Sequence, residues 1–292
     1  DAFNAYSTQT PNNMETLKSI TLPESLVSIG KNAFQACKKL ESISIPQNVT
    51  ELGASAFLGC TSLKTVTIQG SIKELDQTFS GCTSLETITL PDSLEIIGTN
   101  TFAKTKIKTF DFSNIREIGN GAFEATGIES LTNADRLEKI GTKAFNDCSS
   151  LEVVILPETV KELPTSCFRD CSSLKLMVLP AALESLGSSS IRDSFAENGS
   201  LIMLGTTPPE IKTPFGSSGS KPESLAVYYP AVADAAYKEK ASALVGENDN
   251  GGYALDLTNA SMILASAQTT DGNTLTLKTV TVPEGMTLTA AS

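Results

Sequence analysis

The chain has 292 residues, of which 40% are apolar, and it is therefore long enough to bury a substantial core. Its formal net charge is -11, from 33 acidic and 22 basic residues, which disfavours nucleic acid and anionic membrane surfaces as partners because both would be repelled. No stretch approaches the roughly 18 to 20 consecutive apolar residues of a membrane span, and the N-terminus has no signal-peptide pattern.

A phenylalanine recurs along most of the chain at a nearly constant spacing. Intervals of 21 to 23 residues separate Phe34, Phe57, Phe79, Phe102, Phe123, Phe145 and Phe168. Phe195 follows after 27 residues, and the extra residues are assigned to the stretch Ser188–Ser190. A fixed period of about 20 to 50 residues is typical of repeat proteins, in which each unit buries its apolar face only against its neighbours. The spacing therefore predicts a stack of coils of about 23 residues.

Each repeat continues with the same pattern after its phenylalanine. In one clear copy, Phe34 is followed by Cys37, by Leu40, and by the alternating pair Ile43 and Ile45, after which a proline stands. Alternation with a period of two, ended by proline, predicts a short strand with one buried face.

A second apolar pair and a glycine complete the repeat. Before Phe34 they are Leu26, Ile29 and Gly30. The pair predicts a second wall opposite the strand, and the glycine is expected at a corner where φ is positive. Stacking of such units at the inter-strand spacing of about 4.8 Å gives a parallel β solenoid.

Two repeats are irregular. Phe102 is followed by Ile107, and Phe123 by Ile128, after five residues instead of six, and a threonine takes the cysteine position in both. The rest of the pattern is kept, so both segments are interpreted as coils of the same stack.

The pattern F-x-x-C-x-x-L-x-x-I-x-I-P-x-x-L-x-x-I-G resembles the BspA-like leucine-rich repeats of bacterial and protist surface proteins, over about residues 14–204. The resemblance implies a leucine-rich-repeat solenoid and an extracellular or cell-surface location. It also implies an adhesin-like role, with a host matrix protein, a plasma protein or another surface component bound along the sheet face.

The repeats suggest three regions. Residues 1–204 are predicted to form the repeats, with a truncated or irregular first coil, since Phe3 lies 31 residues before Phe34. Residues 205–245 resemble the closing segment of the same family, which implies a degenerate terminal coil and a cap with a short helix around 231–243. Residues 246–292 are predicted to be a linker and a small β-rich tail or the start of a second small domain. A chain that begins at Asp1 rather than Met is expected of a processed protein or a fragment.

The outward positions of the predicted strands are the candidate binding residues. The polar ones are Thr65, Thr67, Thr87, Thr89, Thr109 and Asp111. The apolar ones are Val153, Ile155, Leu176 and Val178, with Met203 beside them. Hydroxyl side chains are also the ordinary solvent face of a strand, whereas an exposed apolar patch usually marks a contact. The expected cover of that patch is a partner, a second copy, or the segment Tyr253–Leu288 of the same chain.

Two columns of side chains favour structural roles. Five cysteines share one phase, which favours free buried thiols over disulfides and over a zinc site, because thiols in a row do not converge on a metal. The residues that enter each strand nearly alternate in charge and predict cross-strand ion pairs; they are Lys18, Glu41, Lys64, Glu86, Lys108, Glu129, Glu152 and Lys175.

The sequence points to no enzyme, no cofactor and no metal. The chain contains no His, which removes the commonest general base, and it has no G-x-x-x-x-G-K-[ST] phosphate-binding loop. Three binding or structural roles remain open. A protein-binding surface protein is the first, a structural spacer is the second, and a carbohydrate-binding module is the third, disfavoured because the chain has no Trp to stack on sugars.

Overall fold

The computed structural model describes residues 13–216, 225–230 and 233–240. They include the 3-10 helix Asn13–Thr16 and the α-helix α1, Asp234–Lys240. The strands of the described residues are, in chain order, β1 (Ser28–Ile29), β2 (Ser42–Ile45), β3 (Glu51–Leu52), β4 (Thr65–Ile68), β5 (Glu74–Leu75), β6 (Thr87–Thr89), β7 (Ile96–Ile97), β8 (Glu117–Ile118), β9 (Ser130–Leu131), β10 (Lys139–Ile140), β11 (Val153–Ile155), β12 (Glu162–Leu163), β13 (Leu174–Leu179), β14 (Ser185–Leu186), β15 (Phe195–Met203), β16 (Glu210–Ile211) and β17 (Ala226–Tyr228).

The strands form two walls with parallel pairing throughout. The sheet wall consists of a three-stranded sheet, β2-β4-β6, and a five-stranded sheet, β9-β11-β13-β15-β17. The back wall consists of the sheets β1-β3, β5-β7-β8-β10 and β12-β14-β16. Each strand pairs with the strand one coil away, as in the register of Ser42 with Thr65. This arrangement confirms the predicted parallel β solenoid.

The phenylalanine column forms the spine of the core. Its seven rings are all buried, and the centroids of successive rings lie 5.1 to 5.8 Å apart. The corner that carries each ring also continues the ladder between coils, because the N–H of Phe34 donates to the carbonyl of Ala56 at 2.7 Å. The column confirms the repeat phase, since identical side chains stack only when each coil brings them back to the same position.

The predicted end of this column is wrong. Ile191, buried and 23 residues after Phe168, occupies the next position. Residues with positive φ stand two positions before and after it, Ser189 and Asp193, as they do around each Phe of the column. Phe195 instead begins β15, where an irregularity in pairing with β13 takes up the extra residues. The insertion therefore lies within a strand and not at Ser188–Ser190.

The glycine that recurs in the repeat was expected at a corner with positive φ, but the structure gives a different reason for it. Gly98 and Gly119 do not have positive φ; that conformation occurs at the two positions flanking each column residue. A Cβ added at Gly119 would stand 2.7 Å from the carbonyl carbon of Gly98 in the adjacent coil, and real Cβ atoms do not approach backbone so closely. Glycine thus fits this position because neighbouring coils touch there, although Asp76 and Pro164 occupy it in two coils.

A short segment closes the C-terminal end of the described solenoid. Strand β17 pairs with β15, and α1 follows it. The rings of Tyr229 and Tyr237 stack with centroids 4.5 Å apart, and the hydroxyl of Tyr237 donates to the carbonyl of Gly205 at 3.0 Å. Burial raises the pKa of Tyr237, as expected of a phenol enclosed in a core. The helix therefore packs its aromatic residue against the end of the coils.

Candidate binding face

The outer face of β2, β4 and β6 is a ladder of hydroxyl side chains. Thr65 pairs with Thr87, and Thr67 pairs with Thr89, so these side chains stand side by side across the strands. We call the set the polar ladder; it comprises Ser42, Ser44, Thr65, Thr67, Thr87 and Thr89. All of them are exposed except Thr67, which is half-buried. The predicted outward direction of the four threonines is confirmed.

The outer face of β11, β13 and β15 is apolar, and it is buried. Here Val153 pairs with Leu176, and Ile155 pairs with Val178. Val153, Leu176 and Val178 are 3%, 7% and 2% exposed, and Ile155 is half-buried. The expectation of an exposed patch is therefore corrected, because these side chains are covered. The segment Tyr253–Leu288, one of the expected covers, lies outside the described residues.

Met203 does not belong to this face. It pairs with Leu179, whose side chain belongs to the main core, and it is 1% exposed. The outward neighbour of Val178 is Ile202. Because side chains alternate between the two faces of a strand, an assignment that is off by one residue moves the side chain from one face to the other. We call the corrected set, Val153, Ile155, Leu176, Val178 and Ile202, the apolar window.

The two sheets of the sheet wall are separated by the irregular coil that contains Thr109 and Asp111. Both residues are exposed, as predicted, but no strand forms at residues 107–112. At the positions where other coils carry aliphatic residues, this coil has Phe110 and Phe112. No strand of this coil links β6 to β9, so the hydrogen-bonded ladder of the sheet wall is interrupted here.

A cleft of about 520 Å³ opens at this break, and we call its half-buried apolar residues, Ile88, Leu90 and Phe110, the floor. The apolar residues of its lining include Ile88, Leu90, Leu94, Phe110, Phe112 and Ile115. Ile88 pairs with Val66, which is fully covered, yet Ile88 itself is only half-buried because no strand follows it in the next coil. Phe110 is also half-buried. Its centroid lies 5.1 Å from that of Phe123 in an edge-to-face arrangement.

The rim of the cleft is polar and carries two carboxylates. It includes Asp92, Thr109, Asp111, Asn114, Ser130 and Thr132. The carboxylate of Asp111 accepts a hydrogen bond from the backbone N–H of Ser113 at 3.0 Å, which fixes the turn. Only Thr109 and Asp111 of this site are among the predicted binding residues. The signal for the others was available in the sequence, as a shortened repeat next to two phenylalanines at strand positions.

The cysteines form a buried row of free thiols, as predicted. The thiols of Cys60, Cys82 and Cys171 each donate to the carbonyl of the phenylalanine in the preceding coil, at 3.1 to 3.2 Å. Burial is the largest cause that raises the pKa of Cys171 well above its ordinary value. A protonated, enclosed thiol is a poor nucleophile and a poor metal ligand, so this row has a structural role.

Neither a metal-binding cluster nor a membrane-spanning helix is found where the structure describes the chain. Groups of three or more His, Cys, Asp or Glu side chains that could hold a metal are absent from the described ranges. The described part of the chain also lacks any helix with the length and apolar character needed to cross a bilayer.

The charged column at the strand entries forms ion pairs between coils at two of its six oppositely charged steps, all of which lie within the described residues. Lys108 lies 3.4 Å from Glu129, and Lys175 lies 3.1 Å from Glu152. The exposed pair of Lys108 and Glu129 adds at most about 1 kcal/mol, whereas Glu152 is buried, and both pairs link neighbouring coils in register.

Comparison with protein families identifies the repeats. The model of a family described as the BspA type leucine rich repeat region matches residues 10–126 and 112–201 in six copies. No curated protein matches the chain.

Several solved structures resemble the chain. A leucine-rich repeat protein from Bacteroides ovatus is 23% identical, with 65% of this chain and 63% of that chain covered and a TM-score of 0.49. This chain thus spans less than two thirds of that protein. The T. pallidum leucine rich repeat protein is 28% identical, with 58% of this chain and 77% of that chain covered and a TM-score of 0.45. A leucine rich cell surface protein from Faecalibacterium prausnitzii is 21% identical, with 72% and 76% covered and a TM-score of 0.41.

Proposed function

The chain belongs to the BspA-type leucine-rich repeat family, and on that premise we propose that it is a non-catalytic binding protein of the cell surface or extracellular space. It contacts a macromolecule, in the first place a protein, through the outer face of the sheet wall. The role is adhesin-like in the sense that the partner is a host matrix protein, a plasma protein or another surface component.

The observation that supports this proposal is the polar ladder. Its hydroxyl side chains are held in cross-strand register on a wall whose strands are hydrogen-bonded to the neighbouring coils. A rigid row of short side chains loses little conformational entropy on binding, and hydroxyls both donate and accept hydrogen bonds. Such a face suits a polar protein surface.

Binding of the purified chain to a panel of matrix and plasma proteins, measured by surface plasmon resonance beside a glycan array, tests the proposal. The double variant Ser44→Arg/Thr87→Arg places two bulky side chains on the polar ladder at positions that do not pair directly. We expect it to weaken binding of the captured protein at least about tenfold, because it obstructs the centre of the contact.

The matched control is Ser28→Arg/Thr165→Arg, which makes the same chemical change at two exposed sites off the sheet wall. It should bind as the unaltered chain does. Equal losses in both variants would mean that charge alone governs the binding. If no protein or glycan is captured at all, the binding proposal fails and the role of a structural spacer is favoured. Capture of glycans alone would favour the carbohydrate-binding module.

A further inference from the structure

We infer that the cleft between β6 and β9 receives a segment of the protein partner that presents a basic side chain next to an apolar one. The inference rests on the proposed function, because it specifies where on the sheet wall the partner is anchored and by what chemistry. The cleft lies beside the polar ladder, since Ile88 of its floor stands between Thr87 and Thr89 in β6.

The floor provides the apolar half of this recognition. In the coils before it, the inward residues of the strands are buried, with Ile45 and Ile68 at 0% and 2% exposed. Ile88 and Leu90 remain half-buried because the coil that should cover them forms no strand, and Phe110 of that coil is half-buried as well. Burying such partly exposed side chains against an apolar group of a partner is favourable because it removes apolar surface from water. Within the described residues, side chains of the core are therefore accessible to a ligand at this one break in the sheet wall.

The rim provides the charged half. Asp92 and Asp111 stand on the lining and are exposed, and within the described part of the chain neither carboxylate forms an ion pair. The overall charge of -11 has the same sign, so an approaching cation is attracted and an approaching anion repelled.

The size and the hydroxyl groups of the cleft favour a peptide over a small ion. A volume of about 520 Å³ falls within the range of about 300 to 1,000 Å³ that is usual for ligand pockets, and it exceeds what a bare cation fills. Thr109, Ser130 and Thr132 on the rim supply donors and acceptors for the backbone of an extended segment.

Fluorescence anisotropy with three labelled peptides of equal length tests the inference on the full chain. The first alternates Arg or Lys with Phe or Leu, the second replaces the basic residues by Glu, and the third replaces the apolar residues by Ser. We expect the first to bind at least about tenfold more tightly than either of the others. Equal binding of the three peptides, or no binding of the first, overturns the inference.

Two variants locate the peptide. Asp92→Asn/Asp111→Asn removes both charges and keeps the oxygen that accepts from Ser113, and it should weaken binding of the first peptide at least about fivefold. Glu24→Gln/Glu184→Gln removes the same number of charges at exposed positions away from the cleft and should leave the affinity unchanged. Equal loss in both variants would assign the binding to net charge and overturn the site.

A blocking variant separates the cleft from the rest of the wall. Thr109→Phe fills the mouth of the cleft from an exposed position, so its unfolding midpoint should stay unchanged while peptide binding is lost. If this variant still binds the macromolecule identified on the panel, and only Ser44→Arg/Thr87→Arg abolishes that binding, the cleft is not the anchor and the proposed function stands. If no macromolecule binds any form of the chain, the proposed function itself fails.

Discussion

The thiol of Cys148 donates a hydrogen bond to the carbonyl oxygen of Phe123, 3.0 Å away in the preceding coil. The corner carbonyl is enclosed by the stack, and it also accepts from the hydroxyl of Thr126 at 2.9 Å, so two side chains satisfy a backbone acceptor that solvent cannot reach. In the last coil Ser194 occupies the same phase and donates to the carbonyl of Phe168. A hydroxyl can therefore replace the thiol at this position of the repeat.

Substitution of Cys148 tests this role. Cys148→Ala should lower the free energy of unfolding by about 1 to 3 kcal/mol, because it removes a buried side chain and one of the two side-chain donors to the carbonyl of Phe123. Cys148→Ser should cost less, since the hydroxyl keeps the hydrogen bond as Ser194 does. Urea denaturation measures both values. A serine variant as unstable as the alanine variant would show that packing of the sulfur, and not the hydrogen bond, is what matters.

Truncation of the phenylalanine column should be more costly. Phe145→Ala is expected to lower the free energy of unfolding by about 3 to 5 kcal/mol, because the ring is fully buried and stacks on both neighbouring rings. Phe195→Ala serves as the control, since that ring is half-buried and outside the column. Its loss should be clearly smaller in the same chemical denaturation experiment. Similar losses for the two variants would contradict the conclusion that the stacked phenylalanine column contributes more to stability than a half-buried ring outside it.

The native thiols should be unreactive, and their burial should make the protein alkali-sensitive. Burial raises the pKa of Cys148 to about 11 from an ordinary value of 9.0. Between these values the unfolded chain releases the proton while the folded chain keeps it, so the free energy of unfolding falls as the pH rises from about 9 to about 11. The dependence should be weaker in Cys148→Ser. An aromatic disulfide reagent should label no thiol of the native protein and six after unfolding without reductant, and fewer than six would reveal disulfides.

Removal of residues 241–292 tests whether the apolar window is covered by the C-terminal part of the chain. If the expected segment Tyr253–Leu288 is the cover, the truncated protein exposes the window, and each uncovered side chain forgoes roughly 1.5 to 3 kcal/mol of burial. Binding of a hydrophobic dye and self-association in sedimentation should then rise. Adding Leu176→Ser to the truncated chain should reduce the dye signal. Unchanged dye binding after truncation would exclude this segment as the cover.

The sequence alone determined the repeat architecture. The spacing of Phe34, Phe57 and Phe79 defines the coil length, and alternation such as Ile43 and Ile45 defines the buried face of each strand. These features are periodic, and because the coils stack in register, the same residue of every repeat lies at the same place in the coil. The outward threonines Thr65, Thr67, Thr87 and Thr89 followed from the same alternation.

Tertiary structure decided what depends on contacts between coils. A single sequence could not reveal that Gly119 is needed for close approach to Gly98, because that requires the distance between two backbones. From the sequence, Phe195 was assigned to the column instead of Ile191. An insertion inside β15 and an insertion before it change the spacing between phenylalanines equally, so the spacing could not tell them apart. The same ambiguity put Met203 on the outer face, since one residue of register reverses every side chain.

The cleft is likewise a property of the folded chain. The shortened connection at Phe102 and the rings of Phe110 and Phe112 are visible in the sequence, but their consequence is not. The break opens because no strand of the next coil pairs with β6. Ile88 is therefore half-buried, whereas Val66, its partner in β4, is covered. Burial of a side chain depends on the coils that stack on either side of it. The residues around Ile88 therefore do not indicate that the adjacent coil lacks a strand.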